Sequence, residues 1–136
     1  METQTISTSS RNQMIDVTDR LQKLITQAKI NDGMLIVYVP HTTAAVTINE
    51  NADPDVKHDM LLKLSQMIPK DQAGYKHAEG NSDSHVKTAL VGNNVTVLIE
   101  NGRLQLGQWQ GIYFCEFDGP RERQMYIKAV KFDYTS

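Results

Sequence analysis

Val95-Thr96-Val97-Leu98-Ile99, then Asn101-Gly102, then Arg103-Leu104-Gln105-Leu106 is the stretch that decides the fold class. Two apolar runs flank an Asn-Gly pair, and Asn-Gly tolerates the positive φ angles of a tight hairpin turn. The expected register sets Ile99 opposite Leu104 and Val97 opposite Leu106. Downstream, residues 111–117 (GIYFCEF) and 122–132 (ERQMYIKAVKF) flank Asp118-Gly119-Pro120-Arg121 and predict a second hairpin. Hairpin strands are antiparallel, so the expected class is α+β, not a doubly wound parallel sheet.

Upstream, the pattern alternates between helix and strand. Residues 3–8 suit a strand. Leu21, Leu24, Ile25 and Ala28 recur at a helical period behind a capping Asp16 or Thr18, and Asn31-Asp32-Gly33 ends that helix. Residues 34–39 (MLIVYV) form a buried strand, Pro40 interrupts it, and residues 43–48 (TAAVTI) resume the extended pattern. Asp53-Pro54 opens a second helix with Val56, Met60, Leu61, Leu64 and Met67 on one face, stopped by Pro69. A polar loop covers 70–81, and a third helix runs from Asn81 or Ser82 to about Val91, before Gly92.

The 136 residues suit a single domain over 1–136, and 40% hydrophobic residues suffice for one core. A net charge of -2 gives no electrostatic reason to bind nucleic acid or an anionic membrane, so neither is an expected partner. The single cysteine, Cys115, allows no intrachain disulfide. The polar start has no secretory apolar segment, and no run approaches the ~20 apolar residues of a bilayer span. The expected location is the cytoplasm.

Four constellations could carry chemistry. Glu116 lies on one strand face with Ile112 and Phe114, and a two-residue Gly119-Pro120 turn would set it opposite Arg123. A carboxylate on an apolar face needs such a partner. The pair is either a carboxylate held for a ligand or a structural ion pair. His41 follows an interrupted strand, His77 lies in the long loop and His85 in the first turns of the third helix. Three imidazoles could bind zinc and leave one position open, although ordinary surface histidines explain them too. His58 is expected to be exposed. Residues 80–84 (GNSDS), with Asn81 and Ser82, suit either a phosphate at a helix start or plain capping. Residues 50–53 (ENAD) could bind a divalent metal or supply a base. Asp53 is better explained as a cap, and Glu50, which has no evident structural duty, is the better functional candidate.

Trp109 is expected in the core or an interface, and Gln110 beside it has no evident structural duty. Cys115 faces away from Glu116 and is not expected to be a nucleophile. The chain shows no Gly-rich nucleotide loop, no Ser nucleophile elbow and no basic-aromatic pattern for nucleic acid.

Together these pieces resemble the YjbQ family, small proteins linked to a secondary thiamine-phosphate synthase activity. Residues 41–45 (HTTAA) and 48–51 (INEN) look like its first signature. His77 with Asn81, Asp83 and His85 resembles the second. Residues 106–110 (LGQWQ) and 116–121 (EFDGPR), with Arg123, resemble the third. The resemblance implies a compact α+β sandwich with a largely antiparallel sheet and about three helices, a homotrimer, and a site at or near a subunit boundary. It makes His41, His77 and His85 candidate ligands of a divalent metal, zinc or magnesium. It makes Glu50, Glu116 and Arg123 candidate catalytic groups, with Asn51, Asn81, Ser82 and Gln110 beside a small phosphorylated substrate. The implied reaction joins a pyrimidine diphosphate to a thiazole phosphate and releases pyrophosphate, with metal and arginine on the leaving group. The leading expectation is therefore a metal-dependent enzyme. The alternatives are a non-catalytic metal- or small-ligand-binding trimer and an assembly protein.

Overall fold

A computed structural model describes residues 1–133. The chain alternates between two antiparallel sheets. The first has five strands, β1 (Glu2–Ser7), β3 (Gly33–Tyr38), β5 (Asn94–Glu100), β6 (Arg103–Leu104) and β8 (Glu122–Lys131), in the order β1-β8-β3-β5-β6. The second has three, β2 (Gln13–Asp16), β4 (Ala44–Glu50) and β7 (Gln110–Glu116), in the order β2-β7-β4. Three helices complete the α+β fold: α1 (Thr18–Gln27), α2 (Pro54–Met67) and α3 (Ser82–Val91). None of the described helices is long and apolar enough to cross a membrane.

Alternation along the strands sorts the core into two layers. Leu35, Val37, Val97, Ile99, Met125 and Ile127 of the large sheet meet Ala44, Val46, Ile112 and Phe114 of the small one, and α1 adds Leu21 and Ile25. On the other face of the small sheet, Met14, Ala45, Tyr113, Cys115 and Phe117 pack under Met60, Leu61 and Leu64 of α2 and Val91 of α3. Burial there pushes the Cys115 thiol up to about 12, so it is an apolar filler and not a nucleophile.

The expected elements form largely where the sequence places them. The Asn101-Gly102 turn closes β5 on β6 with Ile99 opposite Leu104, and both turn residues have positive φ. β6 is only two residues long, so the expected Val97–Leu106 pairing falls outside the ladder. Asp53 caps α2 by accepting from Asp55 N at 2.9 Å. The apolar stripe of α2 is shallower than its periodicity suggests, because no residue of that helix is fully buried and Met67 is 58% exposed. Trp109, expected in a core or interface, is 57% exposed on the turn before β7. The strand β2 has no clear sequence signal, being four residues long.

The second expected hairpin does not exist. β7 pairs with β2 and β4, while β8 pairs with β1 and β3. The chain leaves the small sheet at Glu116 and enters the large one at Glu122. A tight turn between apolar strands has the same local signature whether the strands pair or part, so only packing distinguishes them.

Where β3 and β8 pair, Gly33 permits a close backbone approach. A Cβ on Gly33 would lie 2.0 Å from the Val130 carbonyl oxygen, and backbone cannot move aside as a side chain can. At Gly111 the obstacle is the Asn51 side chain. Gly33→Ala should therefore destabilise the fold by at least the ~1–3 kcal/mol of an overpacked core. Urea titration of Gly33→Ala and Gly111→Ala should show the larger loss at Gly33.

Candidate functional site

At the crossing between sheets, the carboxylate of Glu116 is fully buried and Arg123 is 3% exposed. Arg123 Nε donates to Glu116 Oε1 at 2.8 Å, and Nη2 donates to Oε2. Thr8 Oγ1 donates to Oε1 at 2.8 Å, and Asp118 N donates to Oε2 at 3.0 Å. Burial alone would raise the Glu116 pKa, but Arg123, Asp118 N and Thr8 outweigh it and hold the carboxyl below its ordinary value. Arg123 Nη2 also donates to Thr43 Oγ1 at 2.8 Å and Thr43 O at 3.3 Å. The expected pairing of Glu116 with Arg123 is therefore correct, but the expected register is not. The two residues join different sheets across the interior, and their hydrogen bonds are directed to protein groups. They form the structural member of the two sequence alternatives.

The segment that Arg123 holds carries His41. β3 pairs with β8 as far as Tyr38 opposite Tyr126. Continued two residues, that register would set Gln124 against Pro40, where the strand has ended. The His41 ring takes up the vacant bond: Gln124 N donates to His41 Nε2 at 2.9 Å. Burial and the charge of Arg123 hold His41 below the usual histidine pKa, so the ring is neutral at pH 7. A neutral imidazole has one lone pair and one N–H. Here Nε2 accepts, so Nδ1 carries the proton.

His41 borders a hollow of about 400 Å³ between the β3–β4 connection and α3. Its other walls are Thr42, then His85, Thr88 and Ala89 on α3, and Gly92 and Asn93 after it. Its base is tied to both sheets, since Gly92 O accepts from Val46 N and Asn93 O from Val39 N. His77 lies on the other side of His85, with ring centroids 5.5 Å apart edge to face. Folding thus brings His41 and His85 to one cavity and His77 against His85.

It does not make the expected three-histidine metal centre. Among the described residues, no three His, Cys, Asp or Glu side chains converge to hold a cation. The donor chemistry of His41 agrees, because its single lone pair is already used by Gln124 N–H. Within one chain the three histidines do not fit a zinc or magnesium ion.

Nor do the other candidates gather at the hollow. Glu50 and Gln110 pair at one end of the small sheet, and Ala44 and Glu116 pair at the other. Six residue steps separate Glu50 from Ala44, roughly 20 Å along a strand. Glu50 therefore cannot work beside Glu116 in one chain. Gln110 has a structural duty after all: its Oε1 accepts from Gly107 N at 2.8 Å and closes the turn before β7. Asn51 Nδ2 donates to Asp16 Oδ2 at 3.1 Å. Asn81 turns inward, donating to Asp118 Oδ2 at 2.8 Å, with Oδ1 buried and unpaired. Ser82 faces a different hollow with Lys70, Tyr75 and His77. His58 is exposed beside Asp59, as expected.

Sequence reasoning missed the anchor of α3. Asp83 is fully buried and accepts two 3.0 Å bonds from Arg11, while Lys87, 2% exposed, reaches it at 3.2 Å. The Asp83–Lys87 spacing of four was a legible helical pair. Arg11, 72 residues from Asp83, was not. Thr88 was missed as well; its side chain borders the hollow and its buried Oγ1 has no partner.

A family model described as UPF0047 protein YjbQ-like matches residues 2–132. The chain belongs to the UPF0047/YjbQ family. The UPF0047 protein YugU of Bacillus subtilis is 50% identical over 130 residues, covering 96% of this chain and 98% of that protein. The UPF0047 protein MJ1081 of Methanocaldococcus jannaschii is 50% identical over 125 residues, covering 92% and 90%. Among solved structures, an uncharacterized YjbQ/UPF0047 protein of Clostridium acetobutylicum superposes with a TM-score of 0.93 at 48% identity, covering 96% of this chain and all of that one. The conserved hypothetical protein TT1486 of Thermus thermophilus gives 0.89 at 33% identity, covering 96% and 100%.

These relatives confirm the family and the α+β architecture and overturn the expected activity. They are named as UPF0047 or uncharacterized proteins, and nothing in those names points to thiamine-phosphate synthesis or to a metal-dependent enzyme. The geometry of this UPF0047/YjbQ chain agrees, because the supposed catalytic carboxylates Glu50 and Glu116 lie at opposite ends of a sheet.

Glu116→Gln should destabilise the protein by about 3–5 kcal/mol, because it leaves the Arg123 charge buried without its counter-charge. The folded pKa of Glu116 is depressed, so its contribution is present above the ordinary value of 4.5 and lost as pH falls through the folded value. Denaturant titrations from pH 7 down to pH 3 should show wild-type stability falling below about pH 4.5, and Glu116→Gln falling less steeply.

Proposed function

We propose that this chain is a small-molecule-binding protein whose site is the hollow between His41 and His85. One observation carries the reading: two histidines from separate parts of the chain border the same cavity, and one of them is held neutral and oriented by main chain. A rigid scaffold that fixes a half-buried histidine this closely presents it for recognition. With Thr42 and Asn93 beside the rings, the hollow suits a small polar molecule that both donates and accepts hydrogen bonds. No reaction step is assigned to it.

A second observation favours self-association. Met34, Ile36, Tyr38, Leu98, Tyr126 and Val130 share the face of the large sheet opposite the core, by strand alternation. Leu98 is 58% and Tyr38 42% exposed, and Tyr38 stacks on Tyr126. Such a face suits contact with further copies of the chain. The number three rests on the family resemblance, and a cytoplasmic location on the single cysteine.

A screen of small polar molecules by amide chemical-shift mapping tests the binding reading. Hits should shift His41, Thr42, His85, Thr88, Ala89, Gly92 and Asn93 together. His85→Ala should weaken a hit at least tenfold, about 1.4 kcal/mol, with the fold intact. Shifts clustered elsewhere, or affinity unchanged in folded His85→Ala, would sink the proposal.

Thr88→Val separates packing from recognition. Removing a buried hydroxyl without a partner should leave stability unchanged or raise it, as thermal denaturation would show.

A further inference from the structure

Glu116 and Arg123 are buried away from solvent, yet Arg123 stands one residue from the group that sets His41. Arg123 Nη2 grips Thr43 through both its carbonyl and its hydroxyl, which fixes the chain two residues after His41. Gln124, the next residue along β8, supplies the N–H that His41 Nε2 accepts. One arginine therefore positions both sides of the contact: the segment bearing the ring and the strand bearing its donor. Glu116 holds the guanidinium in place through Nε and Nη2. The planar fork of an arginine can span the carboxylate and Thr43 together, whereas a lysine ammonium cannot reproduce that geometry.

We propose that Arg123 is a positioning residue for the hollow, and that with Glu116 it locks His41 into the tautomer protonated at Nδ1. A fixed tautomer makes the ring a hydrogen-bond donor of one kind at one place. It thereby selects ligand groups that accept, such as a carbonyl or a carboxylate, over groups that only donate. If Nε2 were instead released from Gln124 N–H, the ring could take either tautomer and would lose that selectivity. The consequence for ligands rests on the hollow being the binding site, but the tautomer itself does not.

Long-range proton–nitrogen correlation spectra of the full chain, labelled with ¹⁵N-histidine, read the tautomer directly and need no ligand. In the wild type the His41 signals should show Nδ1 protonated and Nε2 bare. Arg123→Lys, which keeps the charge and loses the fork, should mix the two tautomers. A structural role alone would lower the melting temperature of Arg123→Lys without moving the tautomer. Should Arg123→Lys not fold, Thr43→Val keeps the Glu116–Arg123 pair and removes only the hydroxyl that Arg123 grips, and a smaller change in the same direction is expected. An Nε2-protonated ring in the wild type would overturn the proposal, and so would an unchanged tautomer in whichever of these variants is folded. Since no ligand enters the measurement, failed ligand binding at the hollow leaves this result standing, and the reverse holds too.

Discussion

A carboxylate with no solvent exposure is tolerable only if every lone pair finds a donor, and Glu116 obtains its donors from three separate parts of the chain. That requirement constrains the crossing. The chain must leave the small sheet and turn at once into the large one, so that Arg123 returns to face Glu116 across the layer between them. Thr8, just past the end of β1, reaches in from the edge strand beside β8 and also accepts from Arg121 N. Buried ion pairs are weak evidence for net stability, because desolvation offsets much of their attraction. Their partners are nevertheless dictated once the charges are inside, and here the dictated partners are the ends of β1, β4, β7 and β8.

The hollow is a by-product of the same arrangement. Pro40 cannot continue the β3 ladder, so the chain departs and leaves a main-chain donor on β8 unpaired. An imidazole fills that position, and the residue it comes from is thereby presented at the cavity mouth. On the opposite wall, α3 stands where it does because Asp83 and Lys87 bury their charges against Arg11 and Asn12, and because Ser84 donates to the Phe117 carbonyl. A helix anchored by its inward polar face leaves His85 turned toward the cavity. Buried polar contacts hold most of the inward face of this helix, with Val91 packing at its end, while Val86 and Leu90 are exposed.

Particular residues show why the candidate site was only half legible. His41 was marked by the broken strand before it, and the position after Pro40 proved to be a structural exception. Glu116 was marked by standing among apolar neighbours, and it needed a cation as expected. Glu50 was marked differently, by following a strand with no evident structural duty, and it does not belong with Glu116, because strand length alone sets the two apart. Gln110 showed no duty in the sequence, but its bond is to a glycine three residues away in a turn whose shape only folding reveals. Arg11 and Thr88 carried no mark, for each acquires its role from residues distant in the chain.

Local physics therefore settled what could be settled locally. Hydrophobic period, the Asp53 cap and the Asn101-Gly102 turn determined most of the strands, the helical segments and the antiparallel class, because each depends on neighbours within a few residues. The ordered signatures along the chain determined its family. Which sheet each strand joins, which histidines share a cavity and which tautomer His41 holds were decided only in three dimensions. Those outcomes depend on the competition of buried charges and unpaired backbone groups for partners scores of residues away, and no local pattern records who wins it.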